Sequence, residues 1–74
     1  NDRKAVEALD IEMNTLDATD AQNAVEAATG YTRFGYMDKV VIGNVQFWMV
    51  VAVDNNDVAH DIIVDPWGNV TVDD

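Results

Sequence analysis

The sequence feature that most constrains the fold is a two-residue turn between segments rich in β-branched residues. Val40-Val41-Ile42 is followed by Gly43-Asn44 and then by Val45-Gln46-Phe47. A Gly-Asn pair in this position is typical of a tight β-hairpin, whose length fixes the register of both strands. The hairpin predicts three cross-strand pairs: Ile42 with Val45, Val40 with Phe47, and Asp38 with Met49.

Two later turns continue the predicted sheet. Asp54-Asn55-Asn56-Asp57 consists of residues that cap their own backbone, and a turn of this length pairs Val53 with Val58. For Asp65-Pro66-Trp67-Gly68-Asn69 a five-residue loop sends Val70 and Val72 inward, whereas a four-residue loop sends them outward. We expect the five-residue loop. Together these registers predict an apolar core face: Val40, Phe47, Met49, Val51, Ile62 and Val64.

The segment before Gly30 has helical rather than strand periodicity. Val6, Leu9, Met13 and Leu16 form one apolar stripe. Thr19 and Gln22 fit a capping box that begins a second, Ala-rich helix, and Gly30 fits its end. The predicted architecture is a single α+β domain, residues 1–74, with helices over 1–16 and 19–30 and a four-stranded antiparallel meander over 36–73. One helix is expected to pack on one sheet face.

Charge and composition exclude several classes of function. Fourteen acidic and four basic residues give a net charge of −10, which argues against direct contact with nucleic acid or anionic membrane. The longest apolar run is too short for membrane insertion. The acidity has three interpretations: a solubilising surface, mimicry of nucleic acid, or adaptation to high salt.

Nothing in the sequence predicts a catalytic, metal or cofactor site. The chain has no cysteine, and its one histidine, His60, is expected to point inward and to bond a carboxylate or carbonyl. Asp54 and Asp57 supply oxygen atoms but lack the spacing of an EF-hand, so a plain polar turn is expected. We therefore expect a binding protein rather than an enzyme.

The predicted register leaves a half-apolar outer sheet face, which is the candidate partner surface. We expect five residues on it: Trp48, Val50, Val41, Ile63 and Lys39. A sixth candidate, Trp67, stands at a turn tip and either joins this surface or folds back over the core edge. Lys39 is opposite Trp48 in the predicted hairpin, within reach of a cation–π contact. Tryptophan is enriched at interface centres, so this face predicts a protein partner or a homodimer.

The segment from the Ala-rich helix to the last turn resembles the PepSY domain. The resemblance spans about residues 19–72 and includes Val64-Asp65-Pro66-Trp67-Gly68-Asn69-Val70, similar to a Val-Asp-x-x-Gly-x-Val turn. Pro66 and Trp67 depart from the usual residues of that turn. The resemblance implies a non-enzymatic, secreted or periplasmic module that binds or restrains a peptidase. The alternative is a cytoplasmic acidic inhibitor that mimics nucleic acid and occupies the groove of a basic, nucleic-acid-binding protein.

Overall fold

The computed structural model describes residues 10–73, which form one helix followed by an antiparallel sheet. The elements are α1 (Ala18–Thr29), β1 (Arg33–Ile42), β2 (Val45–Val53), β3 (Ala59–Val64) and β4 (Val70–Val72). The strands lie in the order β1-β2-β3-β4, so each pairs with its neighbour in sequence. The α+β class and the meander are as predicted. No helix within residues 10–73 is long and apolar enough to cross a membrane.

The prediction of two N-terminal helices is wrong for the part of the first helix that can be compared. Residues 1–9 of that predicted helix lie outside the described residues, and residues 10–16 are not helical. Instead, the Glu12 N–H donates to the Asn44 carbonyl and the Gln46 N–H donates to the Glu12 carbonyl, each at 2.8 Å. These bonds form a parallel bridge between Glu12 and Val45.

The bridge forms because β2 is longer than its partner β3. The β2–β3 pairing ends at Trp48 and Val64, so the Asn44 carbonyl and the Gln46 N–H have no β3 partner on that side. Unpaired backbone groups are costly when they are buried, and the segment around Glu12 satisfies them. Long-range hydrogen bonds therefore override the helical spacing that includes Met13 and Leu16.

The N-cap of helix α1 lies two residues before the predicted one. It is Asp17, not Thr19: the Asp17 carboxylate accepts from the Asp20 N–H at 2.8 Å, and the Asp17 N–H donates to the Asp20 carboxylate at 3.5 Å. Carboxylates at a helix N-terminus also interact favourably with the helix dipole. The predicted end at Gly30 is confirmed, with a left-handed φ of 81° and its N–H donating to the Glu26 carbonyl.

The first and last hairpins have the predicted registers. Ile42 pairs with Val45, Val40 with Phe47, and Asp38 with Met49. Val64 pairs with Val70 and Ile62 with Val72, as the five-residue loop requires.

The predicted β2–β3 register is wrong by one residue. Val53 pairs with Ala59 rather than Val58, and Val50 rather than Met49 is opposite Ile62. Because successive side chains in a strand point to opposite faces, this slip exchanges the two faces of β2 relative to β3. Phe47, Met49 and Val51 therefore lie opposite to the face that contains Ile62 and Val64.

The cause of the slip is a loop that is one residue longer than predicted. It runs from Asp54 to Val58, where the Asp54 N–H donates to the Val58 carbonyl at 3.0 Å and the Asp57 N–H donates to the Asp54 carbonyl at 3.1 Å. The last loop has the same two bonds: Asp65 to Asn69 at 3.0 Å and Gly68 to Asp65 at 3.1 Å. Asp57, with φ of 62°, occupies the left-handed position that Gly68 fills in the last loop.

The core lies between α1 and the sheet face that includes β2 residue Val50. Its fully buried members come from the helix and the two central strands: Ala21, Val25, Val50, Ala52, Ile62 and Val64. Small side chains on α1 permit a close approach to this face. Of the six predicted core residues, Ile62 and Val64 are confirmed, whereas Val40, Phe47, Met49 and Val51 lie on the other face.

Candidate protein-binding surface

The sheet face opposite α1 is apolar at its centre, and we call it the open face. It comprises Val40, Phe47, Met49, Val51 and Ile63, which are all partly exposed. The register places these side chains together, because residues directly opposite each other on paired strands share a face. Helix α1, the one helix within residues 10–73, packs on the other side.

Met49 lies at the centre of the open face. It pairs with Asp38 on β1 and with Ile63 on β3, while Phe47 and Val51 flank it along β2. Neighbours of this kind are close enough for their side chains to touch. The open face is therefore a continuous apolar surface rather than a set of isolated residues.

Carboxylates border this apolar surface on both sides. Asp38 stands on the edge strand β1, and Asp61 is opposite Val51 on β3. The Asp73 N–H donates to the Asp61 carbonyl at 2.7 Å, which extends the acidic border beyond β4. All three residues are exposed.

The Asp38 carboxylate is stabilised in its ionised form. It accepts hydrogen bonds from the Tyr36 hydroxyl and the Lys39 N–H, each at 2.8 Å. The bond from Tyr36 is the main cause that lowers the pKa of Asp38, and the same bond raises the pKa of Tyr36. Asp38 therefore keeps its negative charge at neutral pH.

Four of the six predicted partner-binding residues lie on the face that α1 covers. Val50 is fully buried at 0% exposure, so the prediction that it lies on an uncovered face is wrong. Trp48 is half-buried, and its indole N–H donates to the Leu16 carbonyl at 2.9 Å. Lys39 and Val41 belong to the same face, paired with Trp48 and Gln46 respectively.

The predicted contact between Lys39 and Trp48 is confirmed. The Lys39 ammonium lies 5.1 Å from the centroid of the indole ring, within the range of a cation–π interaction. It also donates to the Asn14 carbonyl at 3.2 Å. This pair secures the segment before α1 to the sheet.

The remaining two predicted residues are accessible. Ile63 lies on the open face beside Met49, although the prediction grouped it with Trp48. Trp67 is 66% exposed at the tip of the last loop, where its N–H donates to the Asp65 carboxylate at 2.9 Å. The loop holds Trp67 away from the core.

His60 points inward and bonds a carboxylate, as the sequence predicts. It pairs with Ala52 on the core face, and its Nε2 lies 2.8 Å from the Asp54 carboxylate. Its ring stacks on Tyr31 with centroids 5.1 Å apart. The hydrogen bond from His60 is the main cause that lowers the pKa of Asp54, assisted by the N–H of Val58.

A polar cleft of about 380 Å³ lies next to this histidine, between the end of α1 and the Asp54–Val58 loop. Arg33 lines it, and its guanidinium bonds the Asp54 carbonyl and the Asp57 carboxylate. No group of three or more His, Asp or Glu side chains suitable for a metal ion occurs within the described range.

The sequence prediction missed Phe47, Met49 and Val51 as surface residues. The available signal was the similarity of the two aspartate-led loops: Asp54 and Asp65 occupy equivalent positions, so the longer form chosen for one applied to both.

Comparison of the chain with protein-family models, with curated proteins and with solved structures gives no match.

Proposed function

We propose that this protein is a small non-enzymatic binding module, similar to a PepSY domain, that binds or restrains a peptidase. The observation that carries the proposal is the open face, where five large or branched apolar side chains lie side by side without a covering element among residues 10–73. Extended apolar patches of this kind mark protein interaction sites.

The order of the elements supports the PepSY-like part of the proposal. An Ala-rich helix ending at Gly30, a strand hairpin and a closing strand pair follow one another along the chain. The resemblance implies that such a module acts outside the cytoplasm, and we extend the proposal to a secreted or periplasmic location.

The second candidate is an acidic mimic of nucleic acid that blocks a basic groove. The net charge of −10 and the three carboxylates that border the open face favour it. The apolar centre of that face favours the first candidate, because nucleic acid presents no equivalent apolar surface to the proteins that bind its phosphates.

Inhibition assays distinguish the two candidates. The full chain is titrated against purified secreted metallo-, serine and aspartic peptidases with a fluorogenic substrate. We expect saturable inhibition of at least one peptidase that survives addition of duplex DNA. If all of these peptidases stay fully active at high micromolar concentrations of the chain, the proposal fails. If DNA competes with the chain for a basic partner, the second candidate is correct.

A further inference from the structure

We infer that the open face docks a protein surface with an apolar centre bordered by lysine and arginine side chains. The inference deepens the proposed function and rests on it where the partner is a peptidase. It names the contact surface and the chemistry of the partner.

The apolar part of the inference comes from the arrangement around Met49. Phe47 and Val51 flank it along β2, and Ile63 is its neighbour on β3. A methionine at the centre of an apolar surface adapts its shape to a partner, because its side chain is unbranched and flexible. The partner surface opposite these residues must itself be apolar for water to be excluded.

The charged part comes from the border of the open face. Among residues 10–73, Asp38, Asp61 and Asp73 place carboxylates at this border, and Arg33 places a guanidinium at the far end of the face. The Arg33 guanidinium is paired with the Asp57 carboxylate at 2.9 Å. The described residues therefore give the open face a net negative border, which complements a basic rim and speeds association with it.

The same charges disfavour a second copy of this chain as the occupant. A symmetric dimer through the open face would bring the acidic borders of two chains together, and each chain has a net charge of −10. Like charges at an interface are costly, so a basic partner is preferred over self-association.

The edge of β1 is a poorer docking site than the open face. The chain bulges between Phe34 and Met37, and the Asp38 carboxylate occupies the N–H of Lys39. Bulges and charged side chains on an edge strand protect sheet edges from added strands. The partner is therefore expected to lie on the face rather than to add a strand to β1.

Two synthetic peptides test the inference: an amphipathic 18-residue (about five turns) helix of Leu and Lys, and a matched helix of Leu and Glu. Each is titrated into the isotope-labelled full chain at low salt, and amide shifts are followed by NMR. Met49→Asp places a charge at the centre of the open face. Val41→Asp is the matched control, because it adds the same charge on the opposite face at a residue that is 51% exposed.

We expect the Leu/Lys peptide to bind, with its largest shifts around Met49, and the Leu/Glu peptide not to bind. Met49→Asp should weaken the binding at least about tenfold, whereas Val41→Asp should keep the wild-type affinity or exceed it. A purely electrostatic attraction would leave both variants as strong as the wild type, which would overturn the inference. Equal binding of both peptides, or shifts centred on α1, would overturn it too.

Two other measurements test whether a second copy of the chain, or another part of the same chain, occupies the open face. If the wild type is a dimer that Met49→Asp makes monomeric, the face binds a second copy and the inference is wrong. If the milder Met49→Thr lowers Tm by more than about 10 °C, the chain covers this face itself and the inference is again wrong. If wild type and Met49→Asp inhibit a peptidase equally, the proposed function stands but the open face is not the contact surface. If the peptides bind the open face but no peptidase is inhibited, the docking surface stands and the proposed function fails.

Discussion

The exchange of faces along β2 predicts different stabilities for two adjacent valine-to-alanine variants. Val50 is fully buried against α1, whereas Val51 lies on the open face and is partly exposed. Val50→Ala and Val51→Ala make the same chemical change at neighbouring positions of one strand. Their intrinsic cost in β-propensity is similar and therefore cancels in the comparison.

The magnitude follows from the burial of each side chain. Val50→Ala removes two buried methylene equivalents, which is worth about 1.6 kcal/mol of transfer free energy. The cavity left between α1 and the sheet adds roughly 1 kcal/mol. We therefore expect Val50→Ala to lower the free energy of unfolding by about 2–3 kcal/mol, and Val51→Ala to lower it by under about 1 kcal/mol. For a domain of this size the difference is roughly 8–15 °C in Tm.

Urea denaturation followed by tryptophan fluorescence measures both variants. Trp48 is half-buried and bonded to the Leu16 carbonyl, so its emission should change on unfolding, whereas the exposed Trp67 contributes a constant background. The register expected from the sequence alone gives the opposite order, with Val51 buried and Val50 exposed. If Val51→Ala is the more destabilised variant, the β2–β3 register described above is incorrect.

Three further predictions concern the loop after β2 and the segment before α1. The bond from His60 lowers the pKa of Asp54 below its ordinary 3.8, so Asp54 contributes stability that is lost as pH falls through the lowered pKa. In denaturation measured from pH 7 to pH 2, Asp54→Asn should therefore show a smaller fall in the free energy of unfolding than the wild type. Asp57 has φ of 62°, so Asp57→Gly should be more stable than Asp57→Ala by about 1 kcal/mol in urea denaturation. Asn14 is buried, and its side-chain amide donates to the Val64 carbonyl at 3.0 Å. Asn14→Ala should lower the free energy of unfolding by about 1–3 kcal/mol. A fall in Tm of less than about 4 °C would contradict this role.

Local residue chemistry was sufficient to predict those elements whose geometry is fixed within a few residues. Gly43-Asn44 specifies a two-residue hairpin because glycine readily adopts the positive φ of such turns, and Gly43 has φ of 65°. Gly30 ends α1 for the same conformational reason. The helix, the first hairpin and the last hairpin therefore followed from the sequence.

The segment around Glu12 shows why local periodicity failed at the other end of the chain. The spacing of Met13 and Leu16 suits a helix, but the bonds to Asn44 and Gln46 become available only once β2 extends past β3. Hydrogen bonds between residues so distant in sequence leave no local signal.

The sequence by itself determined that β2 is a strand, but only the tertiary structure decided which side of it faces the helix. Every residue from Phe47 to Val53 is apolar. The alternation of apolar and polar residues that normally identifies the buried side of a strand is therefore absent there. The choice depends on the length of the following loop, and that length depends on Asp57 adopting a left-handed conformation usually filled by glycine. On the side that faces α1, the small side chains of Val50 and Ala52 allow a close approach, and Trp48 is accommodated at the margin of the core, where it bonds the Leu16 carbonyl.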